Sequence, residues 1–174
     1  MEPIILAHHG VRPRIADSAY VSPGVSLIGE VEIGADSSVW FGSVIRGDVH
    51  AVRIGARTSI QDNSTIHTTE GWLPTLVGDD VTVGHGVILH GCSIADRVLV
   101  GMGSIVLDDV EIESDVMIAA GSLLTSGTRA PSGWLMVGRP AKPRKRLTDA
   151  HLEALRSSAG HYVQKAREYR QGGG

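Results

Sequence analysis

Aromatic residues are scarce in this 174-residue chain: 3 Trp, 3 Tyr and 1 Phe make up 4% of it. A core packed from rings is excluded, so whatever is buried must be built from Val, Ile and Leu. Cysteine is scarcer still. The single Cys92 cannot form an internal disulfide, and the chain therefore reads as a protein of a reducing, cytoplasmic compartment. Positive charge is not in excess either. With 16 Lys and Arg against 19 Asp and Glu, the net charge of −3 offers no basic field to hold a nucleic acid. No apolar run approaches a membrane span, and the start at 3–7 is too short for a secretion signal, so no membrane partner is expected.

What the chain does have is glycine, 22 residues of it, in a composition that is 42% hydrophobic and 20% charged. That is enough apolar material for a core and too much for disorder. At this length one domain is expected.

The arrangement of the aliphatic residues is more informative than their number. They recur every six positions at Ile15, Val21, Leu27, Ile33, Val39 and Ile45, then at Ile54, Ile60 and Ile66. They resume at Val77, Val83 and Leu89, slip by one residue, and continue through Ile94, Val100, Val106, Ile112, Ile118 and Leu124. A period of six suits neither a 3.6-residue helix nor strand alternation. It suits a parallel β-helix of hexapeptide repeats, in which three hexads close one triangular coil and the aliphatics stack inward about 4.8 Å apart. The expected organisation is a short N-terminal segment over 1–14, the repeat region over 15–130, an extended linker with a turn over 131–147, and a helix over 148–170. Thr148 is the expected N-cap of that helix, and Leu152, Leu155, Ala159, Tyr162, Val163, Ala166 and Tyr169 form its apolar stripe. The fold class is thus all-β with one C-terminal α-helix, which covers the flank of the prism or of a neighbouring copy.

On this register the histidines acquire positions. Arg46, His67 and His90 each follow an inward aliphatic and lie three hexads apart, which puts them in one column. Asp62 and His85 share a second column on the adjoining face, with Gln61 beside them. Two imidazoles one coil apart can bind one metal ion, because Zn–N bonds of about 2.0 to 2.1 Å need nitrogens a little over 3 Å apart. His85 lies around a corner and is better aimed at a neighbour's His67 and His90. The geometry predicts a trimer with a shared metal at each interface. Three His ligands leave a fourth position for water, whose pKa falls to about 7.

The runs Ile45-Arg46-Gly47-Asp48, Ser59-Ile60-Gln61-Asp62-Asn63, Ile66-His67 and Gly84-His85-Gly86-Val87-Ile88-Leu89-His90-Gly91 resemble the gamma-class carbonic anhydrase family, as does Val100-Gly101-Met102-Gly103. The resemblance extends over nearly the whole chain and is nearest to the short bacterial subgroup. It implies a left-handed β-helix, a homotrimer, and zinc, or iron under reducing conditions, held by His67 and His90 of one subunit with His85 of the next. It implies hydration of CO2 to bicarbonate through metal-bound hydroxide at those junctions. By the same resemblance Arg46 and Asp48 form an interface ion pair that Asp62 joins, and Gln61 orients the reacting oxygen. Tyr162 reaches the site from the C-terminal helix, and Glu70 stands where the family has a glutamate proton shuttle. The family's second glutamate is Val49 here and an active-site asparagine is Ser59, so slow turnover is expected. Two other readings of a hexapeptide prism compete with this one: an acyltransferase or acyl-CoA thioesterase with a His base, and a metal-bearing structural trimer without turnover.

Overall fold

A computed structural model describes residues 2–172 of the chain. The six-residue period is realised as a parallel β-solenoid of about seven turns with one C-terminal helix. Three inward columns form the core. One runs Ile15, Ile33, Ile54, Val77, Ile94, Ile112 and Ala130, and another Val21, Val39, Ile60, Val83, Val100, Ile118 and Met136. The third carries Leu27, Ile45, Ile66, Leu89, Val106 and Leu124. Between strands the chain turns through corners whose buried hydroxyls bond to carbonyls one coil on, as Ser43 Oγ does to the Gln61 carbonyl at 2.8 Å and Thr58 Oγ1 to that of Gly78 at 2.7 Å. The buried hydroxyls of Ser43 and Thr58 are thereby satisfied, whereas those of Ser22 and Ser122 have no partner among the described residues.

One edge of the prism alternates in charge. Asp36, Arg57, Asp80, Arg97 and Asp115 all adopt positive φ, between 53° and 61°. Arg57 Nε lies 2.7 Å from Asp80 Oδ1, and Arg97 Nε 2.8 Å from Asp115 Oδ1. Each Arg thus clamps the corner that follows it.

Besides the one-residue slip between Leu89 and Ile94, the run of hexads is lengthened twice, and both insertions flank the histidines. The strand Val44–Ile54 carries extra residues around Gly47–His50, and a loop leaves the prism after His67 and is closed by a bridge between Thr69 and Leu73. Beyond Leu124 the solenoid continues further than the aliphatic repeat shows. Trp134–Gly138 pairs in parallel with Met117–Ile118, then Ala141–Arg146 folds back antiparallel on it. At the other end, Ile4–Leu6 pairs in parallel with Ser26–Ile28.

The helix Asp149–Arg170 starts where Thr148 donates its backbone N–H to His151 Nδ1 at 3.0 Å. Its buried residues, Leu155, Ala159 and Ala166, lie against the chain's own prism, across Thr82–Val83, Ser59–Ile60, Ser38–Val39 and Tyr20–Val21. All three tyrosines, Trp40 and Phe41 gather under and around its last turns, with Trp40 and Tyr169 ring centroids 5.3 Å apart. Five of the seven rings of the sequence therefore dock the helix, and the three inward columns hold none. No helix among the described residues is long and apolar enough to cross a membrane. Cys92 is buried, and burial pushes its thiol up to about 12.

Candidate metal centre

His67 and His90 are the last residues of strands Thr65–His67 and Ile88–His90, which pair so that the two Cα atoms are direct partners. Ile66 and Leu89, fully buried, anchor the strands from below. The rings tilt toward one another, and His67 Nδ1 lies 3.2 Å from His90 Nε2. Each ring's other nitrogen meets a carboxylate. His67 Nε2 is 3.0 Å from Asp48 Oδ1, and His90 Nδ1 is 2.7 Å from Asp108 Oδ1. A neutral imidazole that donates its N–H to a carboxylate keeps a lone pair on the opposite nitrogen, so the two lone pairs converge.

Burial acts on both carboxylates to raise their pKa, and hydrogen bonds overcome it. Arg46 and His67 hold Asp48 below the ordinary carboxylate range, and His90 and Thr69 do the same for Asp108. Both therefore remain ionised acceptors at neutral pH. Arg46 bonds to Asp48 Oδ2 from the next place along the Val44–Ile54 strand but one, with only Gly47 between. A Cβ on Gly47 would sit 2.4 Å from the Glu30 carbonyl oxygen, so this link in the Arg46–Asp48 pair has to be glycine.

The second column stands on the adjoining face. Ile60 and Val83 are register partners, and two residues on from them Asp62 Oδ2 lies 2.8 Å from His85 Nδ1. His85 is 53% exposed against 19% for His67. Gln61, nearly buried, forms part of a cleft of about 220 Å³ together with His85, Leu99, Val100, Met102 and Tyr162. Burial, and then the charge of Asp62, raise the pKa of the Tyr162 phenol, which therefore stays protonated.

The expected residues are thus gathered in two groups: Arg46, Asp48, His67 and His90 in one, Gln61, Asp62, His85 and Tyr162 in the other. Within one chain Asp62 contacts His85, and it has no contact with Arg46 or Asp48 among the described residues. Glu70 is exposed in the loop after Thr69 and has no hydrogen bond or ion pair among the described residues. Ser59 lies buried beneath Trp40, whose Nε1 donates to its hydroxyl at 3.0 Å. Asp108 and Thr69 were not expected from the sequence. The available signal was register, because the coil from Leu89 to Val106 puts Asp108 level with Gly91, the residue after His90.

The donor chemistry suits a borderline metal ion such as zinc: two imidazole nitrogens at ligand separation, each backed by an anion. Two ligands are fewer than a stable site needs. No group of three His, Cys, Asp or Glu able to hold a metal is present among the described residues of the single chain.

A hexapeptide-repeat model of bacterial transferases, six repeats long, matches residues 91–126. The chain is 44% identical over 160 residues to mitochondrial gamma carbonic anhydrase 2 of Arabidopsis thaliana, covering 89% of this chain and 58% of that protein. It is 42% identical over 167 residues to a carbonic anhydrase of Geobacillus kaustophilus, covering 96% of this chain and 91% of that one. The chain belongs to the gamma carbonic anhydrase family. It spans less than two thirds of the length of the Arabidopsis family member, and most of the Geobacillus one. A Bacillus cereus crystal structure provisionally assigned as an acetyltransferase superposes with a TM-score of 0.96 at 41% identity, over 98% of this chain and 99% of that one. Family membership implies a metal cofactor.

Proposed function

We propose that the protein is a metal-dependent carbonic anhydrase that works as a homotrimer in the cytoplasm and interconverts CO2 and bicarbonate at its subunit junctions. The observation that carries this reading is the 3.2 Å approach of His67 Nδ1 and His90 Nε2, with Asp48 and Asp108 on the far side of the rings. His67 and His90 of one chain would hold zinc, or iron in a reducing cell, and the half-exposed His85 of a neighbouring chain would complete the set. A divalent cation so held supplies a Lewis acid that brings the pKa of water near neutrality.

The chain's own groups divide the remaining work. The Gln61 amide offers a donor and an acceptor at the cleft, enough to orient a reacting oxygen. Leu99, Val100 and Met102 give the cleft an apolar wall suited to CO2, which carries no net charge or dipole. The Tyr162 hydroxyl, kept protonated, is a donor at its rim. Arg46 and Asp48 hold each other and His67, and in the trimer they would face the neighbouring chain. Glu70, exposed and unengaged among the described residues, would carry the proton to bulk water; Val49 cannot assist it, so proton export limits turnover.

Metal content and CO2 hydration, measured on anaerobically purified protein of known oligomeric state, test this reading. About one metal per chain with measurable hydration supports it; a metal-free trimer without hydration overturns it. The Bacillus cereus relative favours a second reading, acyl transfer from coenzyme A. Calorimetric titration with acetyl-CoA separates the two, since the cleft of about 220 Å³ is below the roughly 300 to 1,000 Å³ usual for ligand pockets.

A further inference from the structure

Three successive turns of the solenoid converge on one oxygen atom. Asp108 Oδ1 lies 2.7 Å from His90 Nδ1 and accepts a hydrogen bond from the Thr69 hydroxyl, also at 2.7 Å. Thr69 belongs to the loop inserted after His67, His90 ends the strand of the next coil, and Asp108 follows one coil later. The register Leu89 to Val106 puts Asp108 level with Gly91. Room for the carboxylate exists because residue 91 has no side chain. A Cβ there would lie 2.3 Å from Asp108 Oδ1 and 3.3 Å from Thr69 Oγ1, and Gly91 also has φ at +52°.

We propose that Asp108, oriented by Thr69 and given room by Gly91, is the positioning residue that fixes the tautomer and ring plane of His90. The carboxylate has no proton to give at neutral pH, so the bond requires the proton on His90 Nδ1. The Nε2 lone pair is then directed toward His67. Were the proton on Nε2 instead, Nδ1 and the carboxylate would face each other as two acceptors at 2.7 Å, a repulsive arrangement. Thr69 removes the remaining freedom. Its hydroxyl occupies the same oxygen, so the carboxylate cannot rotate without losing two bonds at once. The same contact ties the start of the inserted loop, and hence the neighbour Glu70, to the coil beneath it.

The ordering of His90 stands on the hydrogen bonds alone, and its use for metal rests on the proposed function. The experiment separates these levels. In metal-free protein labelled with 15N-histidine, His90 is expected as the Nδ1–H tautomer in the wild type and as a mixture in Asp108→Ala. Co2+ titration by its visible spectrum is expected to show affinity lowered roughly 10- to 100-fold in Asp108→Ala, the range for removing a ligand's hydrogen-bond partner. Asp108→Asn, which retains an acceptor oxygen, is expected to recover part of both signals, and Thr69→Val to fall between Asn and wild type. Unchanged tautomer and Co2+ affinity in both Asp108→Ala and Thr69→Val overturn the proposal. A tautomer change in Asp108→Ala beside a wild type that takes up no Co2+ overturns the metal reading and still supports the positioning of His90.

Discussion

His85 Nδ1 is held at 2.8 Å by Asp62 Oδ2, which leaves Nε2 without that partner on a half-exposed ring at the edge of the Gln61 cleft. On the proposed function, this ring is the ligand offered to a neighbour. Replacing His85 by Ala is therefore expected to leave each prism folded, because the residue contributes nothing to the aliphatic columns. Metal affinity should fall by more than the roughly 10- to 100-fold that follows removal of an outer partner, and metal per chain should fall with it. Elemental analysis beside circular dichroism checks it; full metal retention refutes the shared centre.

Proton export should limit the rate. Glu70 is without a partner among the described residues and residue 49 is Val, so an external base has a gap to fill. Imidazole at millimolar concentrations is expected to raise kcat for CO2 hydration and leave kcat/KM nearly unchanged. The increase should be larger in Glu70→Ala than in the wild type. Rates independent of imidazole in both proteins would show that the proton leaves by another route.

The core beneath the imidazoles should be intolerant. Ile66 lies between Ile45 and Leu89 with no exposed surface, and His67 is its neighbour in the strand. Ile66→Ala is expected to cost about 2 to 5 kcal/mol, the usual range for emptying a buried aliphatic site. At about 2 to 4 °C per kcal/mol for chains near this size, Tm should drop by roughly 4 to 20 °C in a calorimetric scan.

Acid should weaken one corner in a predictable direction. Arg97 donates from Nε and NH2 to the two oxygens of Asp115, and these bonds hold the Asp115 pKa below its ordinary value despite partial burial. A carboxylate depressed on folding contributes stability that is complete above its unfolded pKa of about 3.9 and is lost as pH falls through the lower folded value. Asp115→Asn should therefore lower Tm at neutral pH, and the gap from wild type should close as the pH falls below about 4. A gap that persists to pH 2 would mean that packing, and not charge, accounts for the loss.

Most of this architecture was legible because a solenoid converts counting into position. Ile45, Ile66 and Leu89 could be placed in one column from spacing alone, and with them Arg46, His67 and His90, since the residue after each aliphatic shares its register. Asp108 was not legible by the same count. The coil from Leu89 to Val106 is one residue short, so Asp108 falls level with Gly91 and not with His90, and its contact depends on the bare backbone at Gly91 and on Thr69, which lies in a loop outside the repeat. The last coil escaped for a different reason. Its inward residues, Ala130 and Met136, break the Ile, Val and Leu pattern, so hydrogen bonding, and not composition, reveals that residues 134–138 close a turn. Nor does spacing say which prism a helix covers. The aromatic cluster around Trp40 decides that in favour of its own.

The strand that folds back at 141–146 has a consequence for the length of the molecule. Every other turn offers the next one a parallel edge, and a stack built that way has no inherent end. Ala141–Arg146 runs the opposite way and is exposed from Lys142 onward, with Lys142, Arg144, Lys145 and Arg146 along it and Pro143 missing a donor. A second copy approaching end-on would meet the wrong strand direction, a missing hydrogen bond and a row of like charges. On the face that ends at Trp134–Gly138, the cap thus acts as a terminator: it removes the parallel edge from which a self-templating shape would grow.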